Sequence, residues 1–242
     1  MAQIITPAGA DLSSISKQAP RVASLPSFYE DWADDFVDQS KWGYTVTGTG
    51  EVNVNISGTG LAGSLSTYAG LLVGTAAADT ASIWTRKLFP VPHGQTALTT
   101  IVEVLNVEWE ARTQGLASID NTQQFMGLAQ TQAALRTTNN LIGFYYASDV
   151  LGVLVDEAGT ETTSALASAP TANATHKYGI KIDRSNGVRF YVGDVLQATI
   201  AASDANIPNI QGVYFNVFAK NDVASADWLR VGHVRIWMED LI

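Results

Sequence analysis

The sequence predicts an all-β protein built as an antiparallel sandwich or barrel. From Phe28 to the C-terminus, about a dozen short stretches alternate apolar and polar residues, with turn residues between them. Successive side chains of a strand point to opposite faces of the sheet, so this alternation indicates strands with one buried face. A chain of 242 residues is compatible with one large β domain.

The first half of this region supplies strands of different lengths. The stretch YTVTGTGEVNVNIS alternates, and SIWTRKLFPV places Ile83 and Phe89 on one face and Trp84 and Leu88 on the other. The run TTIVEVLNVEWEAR predicts a long strand with Trp109 on its apolar side. QQFMGLAQ, LIGFYYAS and VLGVLVDE follow as short strands.

Three strands joined by tight turns are predicted over residues 176–200. The turns fall at Asn186-Gly187 and Gly193-Asp194, because these residue types accept the positive φ angles of hairpins. In the third strand we expect Leu196, Ala198 and Ile200 to share one face. GVYFNVFA and WLRVGHVRIWM then close the domain.

Three segments depart from the strand pattern. Residues 27–36 and 202–210 favour a few helical turns, and residues 161–175 favour a loop or a weak strand. No sequence repeat of fixed period is found, which argues against a solenoid or a propeller.

The chain is predicted to divide into an extended N-terminal arm, residues 1–27, and a β domain, residues 28–242. Prolines punctuate the arm, and its apolar residues follow neither period two nor period 3.6. An arm without a core of its own becomes ordered by docking on its own domain or on a neighbouring chain. The predicted assembly contacts of the arm are Ile4, Ile5, Leu12, Ile15 and Leu25.

Composition excludes several classes of function. The net charge is −9 and basic runs are absent, so a nucleic-acid partner is not expected. No apolar run approaches about 20 residues, so we expect no membrane partner. The start of the chain does not resemble a secretory signal. The chain has no cysteine, which excludes disulfides and cysteine-based zinc sites.

Glu108 and Glu110 are the candidate catalytic residues. They flank Trp109 on a predicted strand, so their side chains share a face and lie about 6.5–7 Å apart along the backbone. Paired carboxylates near this separation can hydrolyse glycosidic bonds, but a solvated strand face opposite a buried Trp109 is the favoured interpretation, so no catalytic residue is predicted. Glu103 lies in register with the apolar residues, so a bulge or a strand end is expected there.

No metal site or cofactor is predicted. His93, His176 and His233 lack helical ligand spacing, and neither a G-x-S-x-G motif nor a phosphate-binding loop occurs. The loop AKNDVASADW has calcium-like oxygen ligands but lacks dense D-x-D-x-D spacing, so solvated turn residues explain it better. Six tryptophans could offer stacking platforms for sugars, although most fall in strand patterns typical of a core.

From about residue 33 to residue 240 the order of motifs resembles the concanavalin A-like lectin/glucanase jelly roll of the laminin-G-like kind. The motifs are DDFVDQSKW, VEWEAR, FMGLAQ, LIGFYY, HKYGIKIDRSNGVRFYVGDVLQATI and WLRVGHVRIWM. The resemblance implies an antiparallel β-sandwich jelly roll. Glucanases of that superfamily carry E-x-D-x-x-E on one strand. The best candidate here, EVLNVE, has Leu105 in place of the aspartate, which implies that the protein is not an enzyme.

The overall style of the sequence resembles that of tailed-phage virion proteins. The shared features are the acidic balance, the abundant Ala, Thr, Gly and Asn, and the apolar-dotted arm. This resemblance implies a head-decoration (cement) protein made in the host cytoplasm without a signal peptide and located in the virion. Its expected partners are the major capsid protein and further copies of the chain in a homo-oligomer.

Two other functions remain open. The protein could be a carbohydrate-binding module on a phage tail or fibre, with a host glycan as its partner. It could also be a glycosidase that uses Glu108 and Glu110.

Overall fold

The computed structural model of the chain describes residues 28–30, 38–59, 65–73, 76, 78–94, 102–113, 122–132, 140–147, 150–171, 174–210, 212–221 and 227–240. Fifteen strands occur in these residues: β1 (Phe28–Glu30), β2 (Trp42–Thr47), β3 (Glu51–Thr59), β4 (Leu65–Val73), β5 (Thr80–Thr85), β6 (Val102–Thr113), β7 (Thr122–Ala129), β8 (Leu141–Ala147), β9 (Val150–Glu157), β10 (Thr160–Ala165), β11 (Thr175–Asp183), β12 (Gly187–Val192), β13 (Val195–Ile200), β14 (Tyr214–Asn221) and β15 (Asp227–Asp240). A 3-10 turn spans Pro92–Gly94. Among the described residues no helix is long and apolar enough to cross a membrane.

The strands form two antiparallel sheets that pack as a sandwich. The eight-stranded sheet has the order β13-β12-β11-β6-β15-β4-β3, with β1 also paired to β15. The seven-stranded sheet has the order β10-β9-β8-β7-β14-β5-β2. This architecture confirms the predicted all-β sandwich, and the division into an arm and a domain stays a prediction.

An aromatic cluster fills the space between the two sheets. Trp109 of β6 is fully buried, and its ring stacks on Tyr178 of β11 with centroids 5.8 Å apart and planes 16° apart. From the opposite sheet, Phe144 and Phe215 meet the same indole edge-on at 5.8 Å and 5.3 Å. The two sheets are therefore joined by interlocking rings rather than by aliphatic contacts alone.

The first described strand anchors the chain where it enters the domain. β1 pairs with β15 on the side opposite β6, so it continues the line of β4. Phe28 enters the core, with its ring 5.2 Å from that of Trp42 and 6.2 Å from that of Phe89. The buried carboxylate of Glu30 accepts hydrogen bonds from Trp42 Nε1 at 3.0 Å and Lys41 Nζ at 3.3 Å.

Both helical predictions are wrong where the structure describes them. Residues 28–30 are a strand, because pairing with β15 overrides local preference. The segment 202–210 holds hydrogen-bonded turns: Asp204 N–H donates to Ala201 C=O at 3.0 Å, and Ile207 N–H donates to Asp204 C=O at 3.4 Å. In the segment 161–175, the weak-strand interpretation is confirmed by β10.

The predicted hairpins are present, but one strand contains a bulge. Phe190 lies opposite Ala198, whereas its neighbour Tyr191 lies opposite Leu196, so Gln197 is an extra residue. Leu196 is therefore turned away from the core and is 47% exposed. The expectation that it shares a face with Ala198 is wrong for this reason.

Asp79 holds together the turn between β2 and β3. Its Oδ2 accepts hydrogen bonds from the hydroxyl of Thr49 at 2.9 Å, from Thr49 N–H at 3.2 Å and from Ala76 N–H at 3.3 Å. The bonds from Thr49 lower the pKa of Asp79 below its ordinary value of 3.8. Stability from this carboxylate is thus present above the ordinary pKa and is lost as pH falls through the lowered one.

We expect Asp79→Asn to lower the urea midpoint near neutral pH, because the amide cannot accept all three hydrogen bonds as a carboxylate does. The midpoint of the variant should also fall less than that of the wild type between about pH 6 and about pH 3. Urea unfolding followed by circular dichroism at both pH values measures the two effects. Equal midpoints for the two proteins at both pH values would contradict this role.

Candidate functional site

Two rows of side chains cross the outer face of the seven-stranded sheet, from β2 through β5, β14 and β7 to β8. The strand register sets these rows. The first row is Gly43, Trp84, Asn216, Gly127 and Gly143, and the second is Thr45, Ser82, Phe218, Phe125 and Tyr145. We call these ten residues the glycine–aromatic face.

The aromatic rings of this face lie against the backbone of neighbouring glycines. A Cβ atom placed on Gly43 would be 2.4 Å from Trp84 Nε1, and one placed on Gly143 would be 2.6 Å from the ring of Phe125. The rings therefore occupy the space that side chains would otherwise fill. Glycines in strand interiors often mark such close approaches.

Uncharged polar groups without partners lie between these rings. Ser82 Oγ, Trp84 Nε1 and both amide atoms of Asn216 are buried and have no hydrogen-bond partner in the described part of the chain. Trp84 and Asn216 are direct cross-strand neighbours, and Ser82 lies two residues from Trp84 on the same strand face. Leaving such a group unpaired costs roughly 1–3 kcal/mol.

Charged groups stand only at the ends of this face among the described residues. Asp156 and Glu161 lie opposite each other at one end, and Lys220 lies on β14 at the other. Burial raises the pKa of Asp156, and the neighbouring Glu161 adds to the shift. The centre of the face is thus chemically suited to a neutral, hydroxyl-rich molecule.

Apolar residues of the same sheet extend this face. Phe125, Ala129, Leu141, Leu154 and Phe218 form a buried cluster of their own, separate from the core between the sheets. All five come from β7, β8, β9 and β14. The outer face of this sheet is therefore apolar with a few uncharged polar groups, as ligand sites commonly are.

The predicted carboxylate pair lies on the other sheet. Glu108 and Glu110 share the outer face of β6, and Trp109 between them points into the core, as the alternation predicts. Asn106 precedes them on the same face, opposite Trp237 of β15. We call Asn106, Glu108, Glu110 and Trp237 the carboxylate face.

Glu103 does not join this pair. Val104 pairs with Glu239 and Val102 pairs with Asp240, so Glu103 is the extra residue of a bulge, as expected. Leu105 points into the core of the sandwich and is fully buried.

The tryptophans divide between the core and the outer faces. Trp42 and Trp109 are core residues, whereas Trp84 and Trp237 lie on the outer faces of the two sheets. Trp228 lies in β15, and Trp32 lies outside the described residues.

The histidines are not brought together. His93 lies in the 3-10 turn, where burial lowers its pKa. His176 Nε2 is 2.8 Å from Thr171 O, and His233 Nδ1 is 3.4 Å from the hydroxyl of Tyr29. In the described ranges no three His, Asp, Glu or Cys side chains form a group that could hold a metal ion.

Two other sequence predictions are only partly described. Asn221 ends β14 and Asp227 begins β15, and Asp222 lies outside the described residues. The predicted arm contacts Ile4, Ile5, Leu12, Ile15 and Leu25 also lie outside them.

Sequence reasoning missed the glycine–aromatic face. Its members come from five strands, and the register that joins them is not visible in any one segment. Gly127 and Gly143 were the available signal, because each interrupts an otherwise apolar strand pattern.

No protein-family model matches the sequence, and no curated protein matches it. Solved structures do match its fold. A glycoside hydrolase family 16 endo-glucanase from Bacteroides ovatus superposes with a TM-score of 0.61 at 10% identity, covering 86% of this chain and 99% of the other. A β-glucanase of Bacillus licheniformis superposes with a TM-score of 0.56 at 12% identity, covering 89% of this chain and 98% of the other.

A carbohydrate-recognition domain also matches. The potassium-bound form of the Emp46p domain superposes with a TM-score of 0.54 at 8% identity, covering 84% of this chain and 90% of the other. Lectin domains and glucanases therefore share this architecture with the chain.

These neighbours overturn the prediction that the protein is not an enzyme. That prediction depended on Leu105 breaking a catalytic motif, but glucanases match the fold over more than four fifths of this chain, and fold gives no ground for excluding hydrolysis. At these identities the likeness establishes the fold alone. The chain has the concanavalin A-like lectin/glucanase jelly-roll fold, as the sequence resemblance implied.

Proposed function

We propose that the protein is a carbohydrate-binding jelly roll that holds a neutral glycan on the glycine–aromatic face. The observation that carries the proposal is the adjacent set of unpartnered, uncharged groups on Ser82, Trp84 and Asn216. A sugar hydroxyl both donates and accepts hydrogen bonds, so it can satisfy an amide oxygen, an amide N–H and an indole N–H together. The carbohydrate-recognition domains among the structural neighbours support this proposal.

The aromatic rings would supply the second part of the interaction. One side of a sugar ring presents C–H groups, which pack favourably against an aromatic surface. Trp84 and Phe125 lie against glycines on either side of Asn216, so a sugar could contact rings and amide at once. The absence of central charge among the described residues favours neutral over acidic sugars.

Asn216→Leu should lower the affinity for a neutral oligosaccharide at least about tenfold, which corresponds to about 1.4 kcal/mol. Leucine keeps the volume but removes both amide atoms. Because Asn216 has no hydrogen-bond partner in the described structure, the variant should remain folded. A glycan array first identifies the oligosaccharide, and isothermal titration calorimetry then compares the proteins.

The matched control is Asn53→Leu, which changes an exposed asparagine on β3 of the other sheet and should leave affinity unchanged. Wild-type protein that shows no saturable binding to any neutral glycan would refute the proposal. Equal affinity of wild type and Asn216→Leu would refute the assigned face.

We also propose that this sandwich is part of a phage virion, as a head-decoration (cement) protein whose residues 1–27 join it to the major capsid protein and to other copies of itself. Two observations support this proposal. The composition resembles that of tailed-phage virion proteins, and the contacts of Phe28 and Glu30 with Trp42 anchor β1, directly after residue 27, to the domain. A strong anchor at that point suits an arm that bears load between subunits.

Deletion of residues 1–27 should leave a folded, soluble domain that no longer joins the particle. Thermal unfolding checks the fold, and sedimentation of reconstituted particles measures incorporation. Unchanged incorporation of the truncated protein would refute the role of the arm.

A further inference from the structure

The outer face of the eight-stranded sheet gathers basic side chains. The strands β12, β11, β6 and β15 are neighbours in this sheet, and the residues that alternate with their core residues point outward. Six of the 14 lysines and arginines of the chain lie at these outward positions. We call them the basic face: Arg112, Lys177, Lys181, Arg189, Arg230 and Arg235.

Four of these residues form two pairs of like charge. Lys181 of β11 lies directly opposite Arg189 of β12, and Arg112 of β6 lies directly opposite Arg230 of β15. Like charges at directly opposed positions of an antiparallel sheet are destabilising. An isolated copy therefore carries two unfavourable pairs on one face, and a negatively charged partner would relieve both.

The basic face is partly without ion pairs in its own chain. Lys177 pairs with Asp194 at 3.0 Å. Within the described ranges, no carboxylate lies within ion-pair distance of Lys181, Arg189 or Arg235. These three positive charges are available to an acidic partner.

Carboxylates on the same side of these four strands offset part of the positive charge. Asp183 holds the following turn by accepting hydrogen bonds from Asn186 N–H at 3.0 Å and Asn186 Nδ2 at 2.8 Å. Burial raises the pKa of Glu110, which favours its uncharged form, although His233 and Lys177 act to lower it. Of the side chains that the structure describes, the others on this side are Glu108 and Glu239. Six basic groups thus outnumber four carboxylates, in a chain with a net charge of −9.

The hairpin formed by β9 and β10 has the opposite charge. Glu161 lies directly opposite Asp156, so this hairpin also carries a like-charge pair, and Glu157 lies beside it at the end of β9. No lysine or arginine occurs in residues 137–176. β10 is the edge strand of the seven-stranded sheet, and residues 158–160 at the hairpin turn are exposed. The hairpin is therefore an accessible acidic surface.

The carboxyl of Asp156 is incompletely satisfied by its own chain. Its Oδ1 accepts a hydrogen bond from Gly159 N–H at 3.0 Å, whereas its buried Oδ2 has no partner in the described part of the chain. Burial raises the pKa of Asp156, and the neighbouring Glu161 adds to the shift. A cationic surface against the hairpin would stabilise both carboxylates in their charged form.

We propose that the basic face of one copy of the chain binds the β9–β10 hairpin of a second copy. Each copy presents both surfaces, so a second copy is the partner whose charge complementarity the structure itself displays. The two surfaces differ, so the contact is head to tail and leads to rings or open chains. This inference names the surfaces for the contacts between copies in the virion proposal, and it rests on that proposal.

Sedimentation velocity of the full chain over a range of concentrations tests the contact. The wild type should self-associate in about 0.1 M NaCl and dissociate in about 1 M, because the Debye length falls from about 10 Å to about 3 Å. Lys181→Glu and Glu161→Lys should each lower the association constant at least about tenfold. The matched control Lys220→Glu makes the same exchange on β14 of the other sheet and should leave the constant unchanged.

Thermal unfolding separates loss of the contact from loss of the fold. Each substitution turns a like-charge pair into a pair of opposite charges, so the isolated variants should be at least as stable as the wild type. An equimolar mixture of Lys181→Glu and Glu161→Lys should associate more tightly than either variant alone, because the exchanged charges then attract each other. A mixture that associates no better than its components would overturn the pairing of these two surfaces.

Two further results would overturn the proposal: a wild type that stays monomeric in about 0.1 M NaCl, or variants that self-associate as strongly as the wild type. Neither result bears on incorporation into the particle through residues 1–27. The deletion of those residues tests incorporation separately, so the two failures can be told apart.

Discussion

Replacing Trp109 with alanine should lower the free energy of unfolding by about 3–5 kcal/mol. The indole is fully buried and contacts Tyr178 of its own sheet and Phe144 and Phe215 of the other. Its removal leaves a cavity among the surrounding aromatic rings. These rings are rigid, so they can fill the cavity only in part. Urea unfolding followed by circular dichroism measures the loss.

Tyr29→Ala serves as the comparison for Trp109→Ala. Tyr29 is 56% exposed, and its ring lies 6.4 Å from the tilted ring of His233. Its removal should cost less than about 1 kcal/mol. Equal losses for the two variants would mean that the ring cluster does not hold the sheets together.

Gly187→Ala should destabilise the protein by at least about 2 kcal/mol more than Gly193→Ala does. Both glycines sit in hairpin turns with positive φ, +85° and +57°, so both substitutions carry a similar conformational cost. The two positions differ in the room that they leave for a Cβ atom. A Cβ on Gly187 would be 2.1 Å from the carbonyl oxygen of Ile200, whereas a Cβ on Gly193 would meet nothing within 4 Å.

The difference between these two variants isolates the steric part of the cost, because the backbone part largely cancels. Parallel urea titrations of both proteins give the two free energies. If Gly193→Ala lowered the free energy of unfolding as much as Gly187→Ala does, the close approach of Gly187 to the last residue of β13 would not contribute to stability.

Local chemistry made part of this fold predictable. The turns at Asn186-Gly187 and Gly193-Asp194 follow from residue types that accept positive φ, and both hairpins are present. The alternation around Trp109 likewise predicted which side faces the core. The displaced Leu196 was not predictable, because the extra residue Gln197 is defined only by the partner strand.

The two candidate sites also differ in how far the sequence alone could predict them. Glu108 and Glu110 are two residues apart, so their shared face could be predicted from strand geometry alone. Asn216 meets Trp84 on one side and Gly127 on the other, and these residues are brought together only by long-range register. Their missing hydrogen-bond partners become visible only once the sheet is assembled.

The short strand β1 determines how the domain would respond to tension. Force applied at Phe28 acts on a strand of three residues that, among the described strands, pairs only with β15. β1 is held by its backbone hydrogen bonds to β15, by the ring contact of Phe28 with Trp42 and by the hydrogen bond from Trp42 to Glu30. Under force we expect β1 to separate from β15 before the sheets come apart. The aromatic cluster between the two sheets would then remain folded.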